Sequence, residues 1–102
     1  MSEPMEAAKS NILKAMETQL DEGVKERLGN AAKIISQNRN KIWLRTKTGK
    51  PIAEKALSVT EELLTLTEGS PSADQLNAAV LQVESVAKEI AEESRRRSMV
   101  VT

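Results

Sequence analysis

PIAEKALSVTEELLTLTEGSPSADQLNAAVLQVESVAKEI, residues 51–90, carries the pattern that decides the fold. Ile52, Ala56, Val59, Leu63 and Leu66 recur at alternating steps of four and three, the spacing that lines one face of a helix and that paired helices bury against each other. Pro51 stands where a first helical turn tolerates proline, because the amide it lacks would have no partner there. Gly69, Ser70 and Pro71 interrupt the pattern, and Ser72 with Gln75 then makes a capping box for the next helix. Its stripe is Leu76, Val80, Val83, Ala87 and Ile90. Two amphipathic helices joined by so short a turn fold back on one another as antiparallel neighbours.

Composition extends this reading to the rest of the chain. The 102 residues contain one aromatic, no Phe or Tyr, four Gly and three Pro, a poor composition for a sheet and a good one for helices. Residues 31–45 predict a helix capped by Asn30, with Ala31, Ile34, Ile35, Ile42 and Trp43 facing inward. Its middle, 36–41, has no apolar residue. Residues 46–50 predict a turn, since Gly49 supplies backbone freedom and Lys50 precedes a proline.

Further upstream, Ser2 and Pro4 predict a helix entry with Glu3 and Glu6 at the positive end of the dipole. Met5, Ala8, Ile12, Met16 and Leu20 form its apolar stripe. Two exits compete, Asp21-Glu22-Gly23 and Gly29-Asn30. Electrostatics favours the second, which puts Lys25 and Arg27 in the last turn rather than two acids, with a kink near Gly23. The expected fold is all-α, an antiparallel up-down-up-down four-helix bundle; the alternative is a three-helix bundle with a long bent first helix. One domain spans 1–102, with 98–102 a frayed tail after Arg95, Arg96 and Arg97.

Cysteine and histidine are absent, which excludes thiol catalysis, disulfides, imidazole acid–base chemistry and zinc sites built from those ligands. The acidic pairs Asp21-Glu22, Glu61-Glu62 and Glu92-Glu93 are adjacent, so within a helix they point about 100° apart and do not converge on one reacting bond. No enzyme, cofactor or metal is expected. No apolar run spans a membrane and residues 1–10 lack the layout of a signal peptide, which predicts a cytoplasmic protein; a secreted effector leaving without a cleaved signal has the same features.

The net charge of zero conceals a partition. Residues 1–30 hold six acids and four bases, 31–50 six bases and no acid, and 51–94 nine acids and two bases. Arg39, Lys41, Arg45, Lys47 and Lys50, interleaved with Gln37, Asn38 and Asn40, are the candidate binding residues. Trp43 is either an anchor or core, and Arg95, Arg96 and Arg97 should join them, because in this topology the second and fourth helices end at the same end of the bundle. The expected function is a non-enzymatic interaction or adaptor module recruiting an acidic protein partner through that basic end. The alternatives are nucleic-acid binding by the same surface, or self-assembly in which the basic band meets the acidic third and fourth helices of a second copy.

Overall fold

The computed structural model describes residues 3–18 and 20–100, the last three of these by backbone alone. Four helices form: α1 Glu3–Met16, α2 Glu22–Asn38, α3 Lys50–Glu68 and α4 Ala73–Val100, with a 3-10 turn at Ile42–Arg45 between α2 and α3. The all-α four-helix bundle is therefore the fold. Among the described residues no helix is long and apolar enough to cross a membrane.

The first exit is the earlier of the two candidates, and this corrects the expectation of a helix running on to Gly29. Amides of Glu17 and Thr18 reach back to the Lys14 and Ala15 carbonyls, tightening the last turn of α1. Asp21 then caps α2, its Oδ2 accepting from the Gly23 amide at 3.1 Å, and Glu22 lies in the first turn. The two acids that would have opposed the end of α1 instead favour the start of α2. Gly29 and Asn30 fall inside α2, and Asn30 caps nothing. Ser2, the expected entry residue of α1, lies outside the described residues.

At the other end of α3 the capping box forms as read: the Ser72 amide donates to Gln75 Oε1 at 2.9 Å, and the Gln75 amide donates to Ser72 Oγ at 3.1 Å. The α4 helix continues through 98–100, where a frayed tail was expected; residues 101 and 102 lie outside the described residues.

Directions alternate up-down-up-down, and a few long-range contacts fix them. Arg39 at the end of α2 meets Glu6 near the start of α1 at 2.8 Å, so those two are antiparallel. Lys55 meets Glu89 at 3.5 Å across an antiparallel α3–α4 pair. Arg27 bonds Glu84 and Asn38 bonds Ser94, so α2 and α4 run parallel. Neighbouring pairs are α1–α2, α1–α3, α2–α4 and α3–α4, which leaves α2 and α3 across a diagonal. The chain therefore crosses one end of the bundle between them, and residues 39–49 are that crossing.

The core is built from small and medium side chains: Met5, Ala8, Ile12 and Ala15 of α1, Leu28, Ala31, Ala32 and Ile35 of α2, Ala53, Ala56 and Leu63 of α3, and Val80, Val83, Val86, Ala87 and Ile90 of α4. Full burial of each Leu, Ile or Val is worth about 1.5–3 kcal/mol. In α3 the fully inward row is 53, 56, 60, 63 and 67, so two threonines occupy core positions. The Thr60 hydroxyl reaches the Ala56 and Leu57 carbonyls and takes a bond from Asn11, and that of Thr67 reaches the Leu64 carbonyl. With their hydroxyls satisfied, the threonines pack without an unpaired polar atom. Leu66, expected inside, is displaced to the edge of that face and is half-buried.

Candidate functional site

The crossing segment is where the basic residues stand, and its shape follows from how α2 stops. At Asn38 the side chain turns back, Nδ2 donating to the Ile34 carbonyl one turn earlier at 2.7 Å. Arg39 adds its Nη1 to the Ser36 carbonyl at 3.0 Å and to Ser36 Oγ at 2.8 Å. Helix 31–45 is thus corrected to a helix ending at Asn38, followed by an extended Lys41 and a 3-10 turn.

The change of helix type reverses the side chains. A 3-10 turn has three residues per turn, so Ile42 and Arg45 share one side. That side faces solvent: Ile42, expected in the core, is 82% exposed, and Lys41 and Arg45 are exposed beside it. Trp43 and Leu44 point inward and are buried.

Trp43 is held from several sides. Its Nε1 donates to Ser94 Oγ at 2.9 Å, and Ser94 Oγ donates to Asn38 Oδ1 at 2.6 Å, a relay linking the turn, α4 and α2. The Arg97 guanidinium lies 5.1 Å from the ring centroid, a cation–π distance. Arg97 Nε also donates to Glu93 Oε1 at 3.0 Å, and Nη2 donates to Thr48 Oγ1 at 2.8 Å. Arg96 pairs with the same Glu93 carboxylate. Arg96 first and Arg97 second hold that carboxyl below its ordinary range, as Arg27 holds Glu84.

The turn leads into α3 through a close approach at Gly49. Thr46 Oγ1 donates to the Trp43 carbonyl at 2.6 Å and accepts from the Gly49 amide at 3.1 Å, and the Lys50 amide reaches the Thr46 carbonyl. A side chain at Gly49 would begin 1.9 Å from the Trp43 carbonyl oxygen and 2.7 Å from its ring. Gly49 has ordinary right-handed angles, φ −85° and ψ −34°, so it is required for space and not for backbone freedom. Lys50, expected in the turn, is the first residue of α3.

The end of α4 therefore does lie against the crossing segment, and the two basic stretches share one end of the bundle. Their members differ. Arg39 is paired with Glu6, Arg96 and Arg97 with Glu93, and Trp43 is buried beneath Arg97. Lys41, Arg45, Lys47, Lys50 and Arg95 are exposed and, among the described residues, none is in an ion pair. The candidate surface is those five cations and Ile42 at one end of the bundle, where Trp43, Asn38 and Ser94 brace the turn.

Sequence reading missed Asn38, Ser94 and Gly49 as framework, and missed Ile42 as surface. A signal existed for Ser94: it continues the α4 row from Ile90 by one step of four, an inward position filled by a hydroxyl. No comparable signal exists for Asn38 or Ile42, because both depend on where α2 stops. In comparisons with known proteins, no family model, no curated protein and no solved structure matches the chain.

Proposed function

We propose that this protein is a non-enzymatic interaction module that recruits an acidic protein partner through the basic end of the bundle. The observation that carries the reading is the set of five exposed cations, Lys41, Arg45, Lys47, Lys50 and Arg95, in no ion pair among the described residues, at the end of the bundle where a braced turn exposes Ile42. Cations without intramolecular partners are available to carboxylates, and a braced segment loses little conformational freedom when one arrives. Ile42 supports a protein partner over a nucleic acid, because it offers apolar area that a phosphate backbone does not use. Trp43 is a brace in this reading rather than a contact, and a buried indole gives bases nothing to stack on.

The test is binding of a labelled polyglutamate peptide at low and high salt, with and without the triple reversal Arg45→Glu, Lys47→Glu, Lys50→Glu. All three residues are exposed, so far-UV circular dichroism should be unchanged in the variant. The reading predicts salt-weakened binding and a loss of about tenfold or more in affinity on reversal. Unchanged affinity in a folded triple variant contradicts it, and tighter binding of short duplex DNA than of polyglutamate favours the nucleic-acid alternative.

A further inference from the structure

Two apolar side chains that helical periodicity puts in the core are not in it, Ile42 being exposed and Leu66 half-buried at the edge of the inward face, and they stand at opposite ends. Ile42 projects from the 3-10 turn with Lys41, Arg45 and Lys47 close by in the chain. Leu66, shifted out of the core by the two inward threonines, lines an open groove of about 620 Å³ together with Pro71, Gln75, Glu61 and Glu62. The groove lies toward the α3–α4 loop. That end also carries Glu17, Asp21 and Glu22 at the α1–α2 break and Glu68 and Asp74 beside the loop. One end of the molecule is thus an apolar knob among cations, and the other carries an open slot in which Leu66 and Pro71 are the apolar side chains and Glu61 and Glu62 the carboxylates.

We infer that Ile42 and its cations dock into the Leu66 groove of a second copy of this chain, forming head-to-tail assemblies. The proposal rests on the reading of the basic end as a docking surface, and names the acidic partner as the loop end of another copy. Within one chain the two features stand toward opposite ends of a body whose long axis is 48 Å, so they do not meet. Knob and slot are different patches, so the contact is heterologous and does not close on itself; each added copy presents a fresh knob and a fresh slot. Transverse extents of 21 and 18 Å limit the buried area to less than the roughly 800 Å² per partner of a standard stable interface. Association is therefore weak, rises with concentration and is suppressed by salt.

Sedimentation equilibrium of the full chain at low salt tests this. The average mass should climb with concentration without stopping at a dimer, and should return to monomer in high salt. Ile42→Ser, at a position open to solvent, and the pair Glu61→Lys, Glu62→Lys should each hold the protein monomeric with unchanged helicity. A variant with Lys41→Glu, Arg45→Glu and Lys47→Glu should also be monomeric alone, and should associate when mixed with the Glu61→Lys, Glu62→Lys variant, since their ends are again complementary. A wild-type monomer throughout, a closed dimer, association by Ile42→Ser equal to wild type, or no rescue in the mixture overturns the inference. Polyglutamate binding by the Glu61→Lys, Glu62→Lys variant separates the two levels: a monomeric wild type whose basic end still binds the peptide defeats only self-docking, whereas unchanged peptide binding after the Arg45/Lys47/Lys50 reversal defeats the underlying reading.

Discussion

The two ends of α2 are made in opposite ways. Its start is a local affair: Asp21, two residues from the amide it caps, at an exposed break in the chain. Its end is held from a distance, by a relay from Asn38 to Ser94 to Trp43 that spans 56 and 51 residues of sequence, and by a backbone approach that leaves no room at Gly49. A break made locally is free to be small and solvent-facing. One made by tertiary contacts is rigid, and a rigid crossing is what presents Ile42 with Lys41, Arg45 and Lys47, between the start of α3 at Lys50 and the end of α4 at Arg95.

Gly23, in the first turn of α2, and Gly49, where the crossing enters α3, should therefore respond very differently to a methyl group. Gly49→Ala drives a Cβ into the Trp43 carbonyl and ring, and neither can move without breaking the crossing; a loss of about 3 kcal/mol or more is expected in urea unfolding. Gly23→Ala meets only the end of the Asp21 side chain, at 3.1 Å, and should stay within about 1 kcal/mol of wild type. Equal effects would erase the distinction.

The relay itself is tested by removing its terminal acceptor. Asn38→Ala removes the side-chain bond to the Ile34 carbonyl and deprives the Ser94 hydroxyl of its acceptor, a cost of about 1–3 kcal/mol. Combined with Ser94→Ala in a double-mutant cycle, the two changes should be non-additive by more than about 0.5 kcal/mol. Additivity would mean that α2 ends independently of α4.

At the other end of α2, Asp21→Ala should cost about 1 kcal/mol, the ordinary value of an N-cap, with no effect on the near-ultraviolet signal of Trp43. The smallest effect concerns acid. Glu93 has a carboxyl held below its ordinary value of 4.5 by Arg96 and Arg97. Its contribution is therefore present above about pH 4.5 and lost as pH falls through the lowered value. Glu93→Gln should flatten the fall in stability over that acidic window and leave the curve above it parallel to wild type; an unchanged acid limb would show that the clamp on Arg97 adds nothing to the crossing.

Local chemistry was legible and long-range chemistry was not. The stripe of α4 and the Ser72–Gln75 box read correctly because each is decided within a few residues. The break before α2 was visible as Asp21-Glu22-Gly23 but assigned to the wrong helix: the two acids oppose the end of α1, and counting them against α1 ignored that they open α2. In α3, a count of apolar residues alone passed over Thr60 and Thr67, whose hydroxyls are satisfied by carbonyls of their own helix. For the candidate surface, the basic residues and their meeting with the end of α4 followed from topology. Ile42 did not, since its exposure depends on α2 stopping at Asn38, and that stop depends on Ser94.

The most direct measurement is a nuclear magnetic resonance titration of the labelled protein, at a dilution where it is monomeric, with a polyglutamate peptide at low salt. The account predicts amide shifts confined to Lys41, Ile42, Arg45, Lys47, Lys50 and Arg95, with the Trp43 indole resonance unmoved because its partner Ser94 is not displaced. Shifts spread evenly over the surface, or none at the crossing while other regions respond, would contradict it.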